Sequence, residues 1–211
     1  MAYDLEEQEK LEALRAWWDR YGTLSAALVF VVVAAVVGWR GWQWYQGHVA
    51  NQAMSYFEAL ENATGQQGDD ALARIKAASE TLRKDYPRSG YTSRAALVAA
   101  DALQDRNATA DARAQLEWLI KNSSDQALVP LARLRLAGLL LEQKQYDAAL
   151  AQVRAAPAPY VGLYADRRGD ILAAQGKKAE AKAAWTEAVK ALAGQAVVQV
   201  IQLKIDALGG A

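Results

Sequence analysis

Between Arg20 and Arg40 the chain runs nineteen residues without one charged side chain. As a helix rising about 1.5 Å per residue, this run is roughly 28 Å long, close to the hydrocarbon thickness of a bilayer. Leu24, Leu28, Phe30 and the valines between Val29 and Val37 together favour insertion by about 3–4 kcal/mol. Aromatic residues flank the run as interfacial belts do: Trp17, Trp18 and Tyr21 before it, Trp39, Trp42, Trp44 and Tyr45 after it. A buried core helix would be shorter, and a cleaved signal sequence would end in small residues. The exit here is the bulky Gly38-Trp39-Arg40-Gly41-Trp42-Gln43-Trp44. The expectation is a retained transmembrane helix with interfacial flanks over 21–45, behind a tail of 1–20 and ahead of a domain over 46–211. Its membrane-interface residues are Arg15, Trp17, Trp18, Arg20, Trp39, Arg40 and Trp42, and the lipid bilayer is its first partner.

Orientation follows from the basic residues near the span ends. Lys10, Arg15 and Arg20 precede it, whereas Arg40 is the only basic residue in the next twenty. The tail is therefore expected in the cytoplasm and the C-terminal domain across the membrane. Beyond the tail the charges nearly balance, which gives no footprint for nucleic acid. The chain has no cysteine, which removes disulfides, thiolate catalysis, zinc–sulfur sites and lipid attachment through a thiol. The Asn-X-Ser/Thr triplets at Asn62, Asn107 and Asn122 carry no inference.

From Ala50 onward, apolar residues recur every three or four positions and turn signals interrupt them at regular intervals. This predicts an all-α fold with helices over 50–63, 69–86, 91–103, 110–121, 130–143, 146–155, 160–175, 178–192 and 195–208. Asp69 or Asp70 is the expected cap of the second. The helices pair into hairpins. Within three of them two small residues stand at one fixed separation: Ala100 and Ala112, Ala137 and Ala149, Gly169 and Ala181. Small side chains there let antiparallel helices approach, while Leu116, Val153 and Trp185 fill the adjoining gaps. With Tyr146 and Gly176, these are the residues assigned to repeat packing. The copies recur at intervals straddling the 34 residues of a tetratricopeptide repeat. The predicted fold is thus a single N-terminal transmembrane helix followed by a tetratricopeptide-like α-hairpin solenoid. The apolar last helix, with Val197, Val198, Val200, Ile201, Leu203, Ile205 and Leu208, is expected to cap it.

Catalytic chemistry has little to stand on. His48 is the one histidine and sits beside the span. Asp166 and Asp170, four apart with Arg167 and Arg168 between them, read as a solvated face or as helix-pair partners. No enzyme, no metal and no cofactor is expected.

The exit stretch Val37-Gly-Trp-Arg-Gly-Trp42 is one of four motifs that point to a family. The others are the block from Ala165 to Lys178, the block Ala183-Ala-Trp-Thr-Glu-Ala188 and the tail Leu203-Lys-Ile-Asp-Ala-Leu208. Together they resemble the YfgM family, the ancillary subunit of the bacterial SecYEG translocon, over essentially the whole chain. The resemblance implies a single-pass inner-membrane protein of Gram-negative bacteria with its repeats in the periplasm. It further implies association with the translocon and with a membrane-anchored, prolyl isomerase-like periplasmic chaperone, and a non-enzymatic role in passing exported polypeptides to chaperones. The alternative is an envelope scaffold or regulator whose acidic cytoplasmic tail, from Asp4 to Glu12, binds a signalling protein.

Overall fold

The computed structural model describes residues 2–209, with side chains over 9–208. Residues 4–8 of the acidic tail thus have their side chains outside the described residues. The described chain is helical throughout, without a strand: α1 (Ala2–Thr64), α2 (Asp69–Asp85), α3 (Gly90–Asp105), α4 (Thr109–Asn122), α5 (Val129–Glu142), α6 (Tyr146–Gln152), a 3₁₀ turn (Ala158–Tyr160), α7 (Val161–Ala174), α8 (Lys178–Ala191) and α9 (Val197–Gly209). It divides after Asn51 into two units.

Three elements depart from expectation. The helix expected over 50–63 is not a separate element, because α1 continues through Gly47 to Thr64; a lone helical glycine costs about 1 kcal/mol without ending a helix. Gly68, whose φ of 96° suits glycine, is the residue that caps α2, and Asp69 and Asp70 fall in the first turn instead of capping it. There their carboxylates meet the positive end of the helix dipole. α6 stops at Gln152 instead of residue 155. At Val153 the backbone leaves the helical region, with φ of −107° and ψ of 16°, and its side chain is buried in the second cluster.

In the second unit, helices pair as antiparallel hairpins: residues 52–64 of α1 with α2, then α3 with α4, α5 with α6, and α7 with α8. Three buried clusters follow the chain. Leu60, Ile75, Leu82 and Leu103 centre the first, Leu116, Leu136, Leu140 and Tyr164 the second, and Ala165, Leu172, Trp185 and Ile201 the third. Each cluster draws on successive hairpins, so each hairpin buries its apolar face on the next.

The last three hairpins turn in the same way. Asn107, Lys144 and Gly176 each adopt the left-handed conformation, with φ of 60°, 59° and 79°. Beyond each, an amide reaches back to close the helix end: Ala108 to the Leu103 carbonyl (2.8 Å), Gln145 to Leu140 (2.9 Å) and Lys177 to Leu172 (2.9 Å). This is the Schellman arrangement, which satisfies carbonyls a helix end leaves open. Gly176, assigned from sequence to repeat packing, belongs to this turn: a Cβ there would meet nothing within 4 Å.

Candidate interaction surfaces

The two units offer different surfaces. In the first, the uncharged run of α1 is almost wholly exposed, with Leu24, Leu28, Phe30 and Val33 at 69, 67, 73 and 53%. Only Gly22 is buried there, beneath the Trp18 indole. The aromatic flanks are exposed too: Trp17, Trp18, Trp39 and Trp42, together with Arg15, Arg20 and Arg40. Trp17 leans on Tyr21 at 6.0 Å, the Arg20 guanidinium lies 5.8 Å from the Tyr21 ring, and Trp42 meets Tyr45 at 6.5 Å. His48 stacks on Trp44 at 5.7 Å and 10°. Burying such a surface in hydrocarbon is favourable at each apolar position.

In the second unit, the small residues are buried. Ala100 is 2% exposed, and Ala112, Ala137, Ala149 and Ala181 are 0%; Gly169 is buried beneath Trp185. Tyr146 is half-buried at the start of α6, against the second cluster.

The first helices of successive hairpins are also tied to one another by polar contacts that inspection of the sequence did not reveal. Tyr164 of α7 donates to the Pro130 carbonyl of α5 at 3.0 Å, across 34 residues. Burial pushes its phenol pKa upward, so the donor stays protonated. Arg135 of α5 pairs with Asp101 of α3 at 2.8 Å and also donates to the Leu97 carbonyl at 3.2 Å. Lys204 of α9 donates to Asp166 at 2.8 Å and to Asp170 at 2.7 Å, the latter again 34 residues away. Asp170 also accepts from the Trp185 indole at 3.1 Å. Of the two readings of Asp166 and Asp170, the solvated face gives way to paired residues: their side chains are only 19 and 21% exposed and both meet Lys204 of α9. Arg106, beyond α3, donates to the Thr64 and Gln66 carbonyls at 2.9 and 2.6 Å, tying the first hairpin to the second. One signal could have found two of these pairs: opposite charges one repeat apart, Asp101 with Arg135 and Asp170 with Lys204.

A shallow groove is lined by Leu150, Leu172, Ala183 and Ala184, with the Arg168–Glu187 ion pair beside it. Among the described residues, no three His, Asp or Glu side chains gather as a metal site would require. What the geometry offers is packed helix faces and polar ties.

The comparisons agree with this architecture. The family described as a tetratricopeptide repeat-like domain matches residues 15–210. An ancillary SecYEG translocon subunit of Neisseria gonorrhoeae is 32% identical over 99% of this chain and 100% of its own length. Proteins of the same description from Escherichia coli and Haemophilus influenzae are 30% and 27% identical, over 96% and 99% of this chain and 96% and 100% of their own lengths. The chain belongs to the tetratricopeptide repeat-like family of ancillary SecYEG translocon subunits, a family of protein-interaction proteins and not of enzymes.

Proposed function

We propose that this protein is a membrane-anchored adaptor at the SecYEG translocon that helps hand exported polypeptides to periplasmic chaperones, a membrane-anchored prolyl isomerase-like protein among them. Residues 1–20 form the cytoplasmic tail, 21–45 the single inner-membrane span with its interfacial flanks, and 46–211 the periplasmic repeat domain. The observation that carries this is the long, exposed, uncharged stretch of α1 joined to repeats that offer binding surface without catalytic groups. The names of the full-length relatives supply the translocon. The excess of Lys and Arg before the span supports the sidedness. Anchoring beside the channel exit raises the local concentration of the repeats, so weak contacts with emerging chains suffice.

Two measurements test it. A photo-crosslinking amino acid at exposed Arg94 of α3 or Glu142 of α5 should yield adducts with translocon subunits and periplasmic chaperones in cells engaged in secretion. A blank at both positions in intact membranes would count against the adaptor role. Protease added to spheroplasts should digest the repeats and spare the first twenty residues; the reverse would overturn the sidedness.

A further inference from the structure

The last helix has two opposite apolar faces. One carries Ile201, fully buried, with Val198, Ile205 and Leu208 packed beside it in the third cluster. The other carries Ala196, at the turn into the helix, then Val200, Leu203 and Ala207; all four are exposed, Val200 at 54% and Leu203 at 68%. A helix that ends a stack of repeats ordinarily turns a polar face outward. Here the outward positions follow the four-three-four spacing by which one helix packs on another.

The repeat step explains the position. The 34 residues that separate Asp170 from Lys204 also carry Ile171 to Ile205 and Gly169 to Leu203. α9 thus stands as the first helix of a further hairpin whose second helix the described chain does not supply. Gly169 is where α8 crosses α7; its counterpart Leu203 lies open.

The stripe identifies its occupant. Small, large, large, small reads alike in both directions, so an antiparallel copy related by a two-fold axis sets Val200 of one copy against Leu203 of the other, with Ala196 against Ala207. The flanking charges permit this. Lys204 is turned to Asp166 and Asp170, and Asp206 accepts from Gln202 at 3.0 Å. No like charges meet in the self-pair, and Gln199 of one copy approaches Asp206 of the other. A strongly charged partner helix would find no matching charge along the stripe. We propose that α9 is a self-association surface on which two copies of this chain pair antiparallel through Val200 and Leu203. A seam of four residues is well short of the roughly 800 Å² per partner of a stable interface, so the pair is weak and is read by trapping.

The chain has no cysteine, so full-length Leu203→Cys in gently solubilised membranes carries a single thiol. A short bismaleimide should convert it to a dimer of twice the chain mass, at least fivefold faster than Lys182→Cys on the exposed outer face of α8. Adding Val200→Asp, or the milder Val200→Gln, should return the rate to that of the Lys182→Cys control with the helical circular dichroism signal unchanged. Equal rates at positions 203 and 182, insensitivity to both changes at 200, or capture of a different polypeptide in place of the second copy would each overturn the proposal.

Discussion

Trp185 of α8 lies so close to Gly169 of α7 that a Cβ at position 169 would fall inside van der Waals contact with the indole, 2.8 Å from Cγ. The ring is 5% exposed and donates from Nε1 to Asp170 at 3.1 Å. It is held from both sides and has nowhere to retreat.

Gly169→Ala is therefore expected to destabilise the protein by about 1–3 kcal/mol, as an overpacked core position does. Urea unfolding followed by circular dichroism would measure it. Adding Trp185→Leu should remove most of the penalty of the alanine, giving a coupling energy between the two sites. An additive double mutant would show that the contact is not the cause.

The hairpin turns give a pair of opposite expectations. Lys144 has a φ of 59°, a conformation costing an L-residue roughly 1–2 kcal/mol. Lys144→Gly should raise the unfolding free energy by about 1 kcal/mol once glycine's greater freedom in the unfolded chain is subtracted. Gly176→Ala should lower it by about the same amount. No contact contributes at position 176, since a Cβ there meets nothing within 4 Å. Denaturation midpoints of the two variants should move to opposite sides of the wild type.

Lys204 carries a pH dependence. Burial works against its charge, but hydrogen bonds to Asp166 and Asp170 and their negative charges outweigh that cost and hold its pKa above the usual lysine value. A raised value means the folded state binds the proton more tightly. The contribution to stability is thus complete below the ordinary lysine pKa of about 10.4 and fades as pH rises through the higher folded value. Lys204→Met should cost about 1–3 kcal/mol at pH 8, because it takes a charged donor from two largely buried carboxylates, of which Asp170 keeps the Trp185 indole. That gap should narrow above about pH 10.4. Unfolding of wild type and variant at pH 8 and 11 would check both sign and window.

The anchoring of α1 can be weighed against charge. One arginine at the centre of a span costs about 2.5–3.5 kcal/mol, against a total of about 3–4 kcal/mol favouring insertion here. Val29→Arg combined with Val33→Arg should therefore move the protein from the carbonate-resistant membrane fraction to the soluble one, while Gln43→Arg beyond the uncharged run leaves it in place.

Much of the helical layout was legible because it rests on local chemistry. Apolar residues at helical spacing marked the repeat helices, and the Gly-rich, Pro-containing and short polar breaks marked their ends. Ala100, Ala112, Ala137, Ala149, Gly169 and Ala181 stood out by size and spacing, and each is buried. The misses have physical causes. α6 ended at Gln152, because Val153 turns out of the helix into the buried second cluster, a packing choice that the local apolar pattern does not show. Gly176 was taken for a packing residue because smallness and left-handed φ are the same letter in a sequence. Asp166 and Asp170 read equally as a solvated face or as helix-pair partners, and the choice stayed open because Lys204, which decides it, lies on another helix.

What the sequence determined by itself was everything set within one or two helical turns: helix or break, apolar run or charged flank, small residue or large. Only the tertiary structure decided which side chains one repeat apart face each other. Tyr164 reaching the Pro130 carbonyl, Arg135 meeting Asp101 and Lys204 closing on two carboxylates depend on how successive hairpins stack. Stacking brings these groups within hydrogen-bond reach and, at Tyr164, Asp166 and Asp170, removes most of the water that would otherwise satisfy them; periodicity along a single helix carries no record of it.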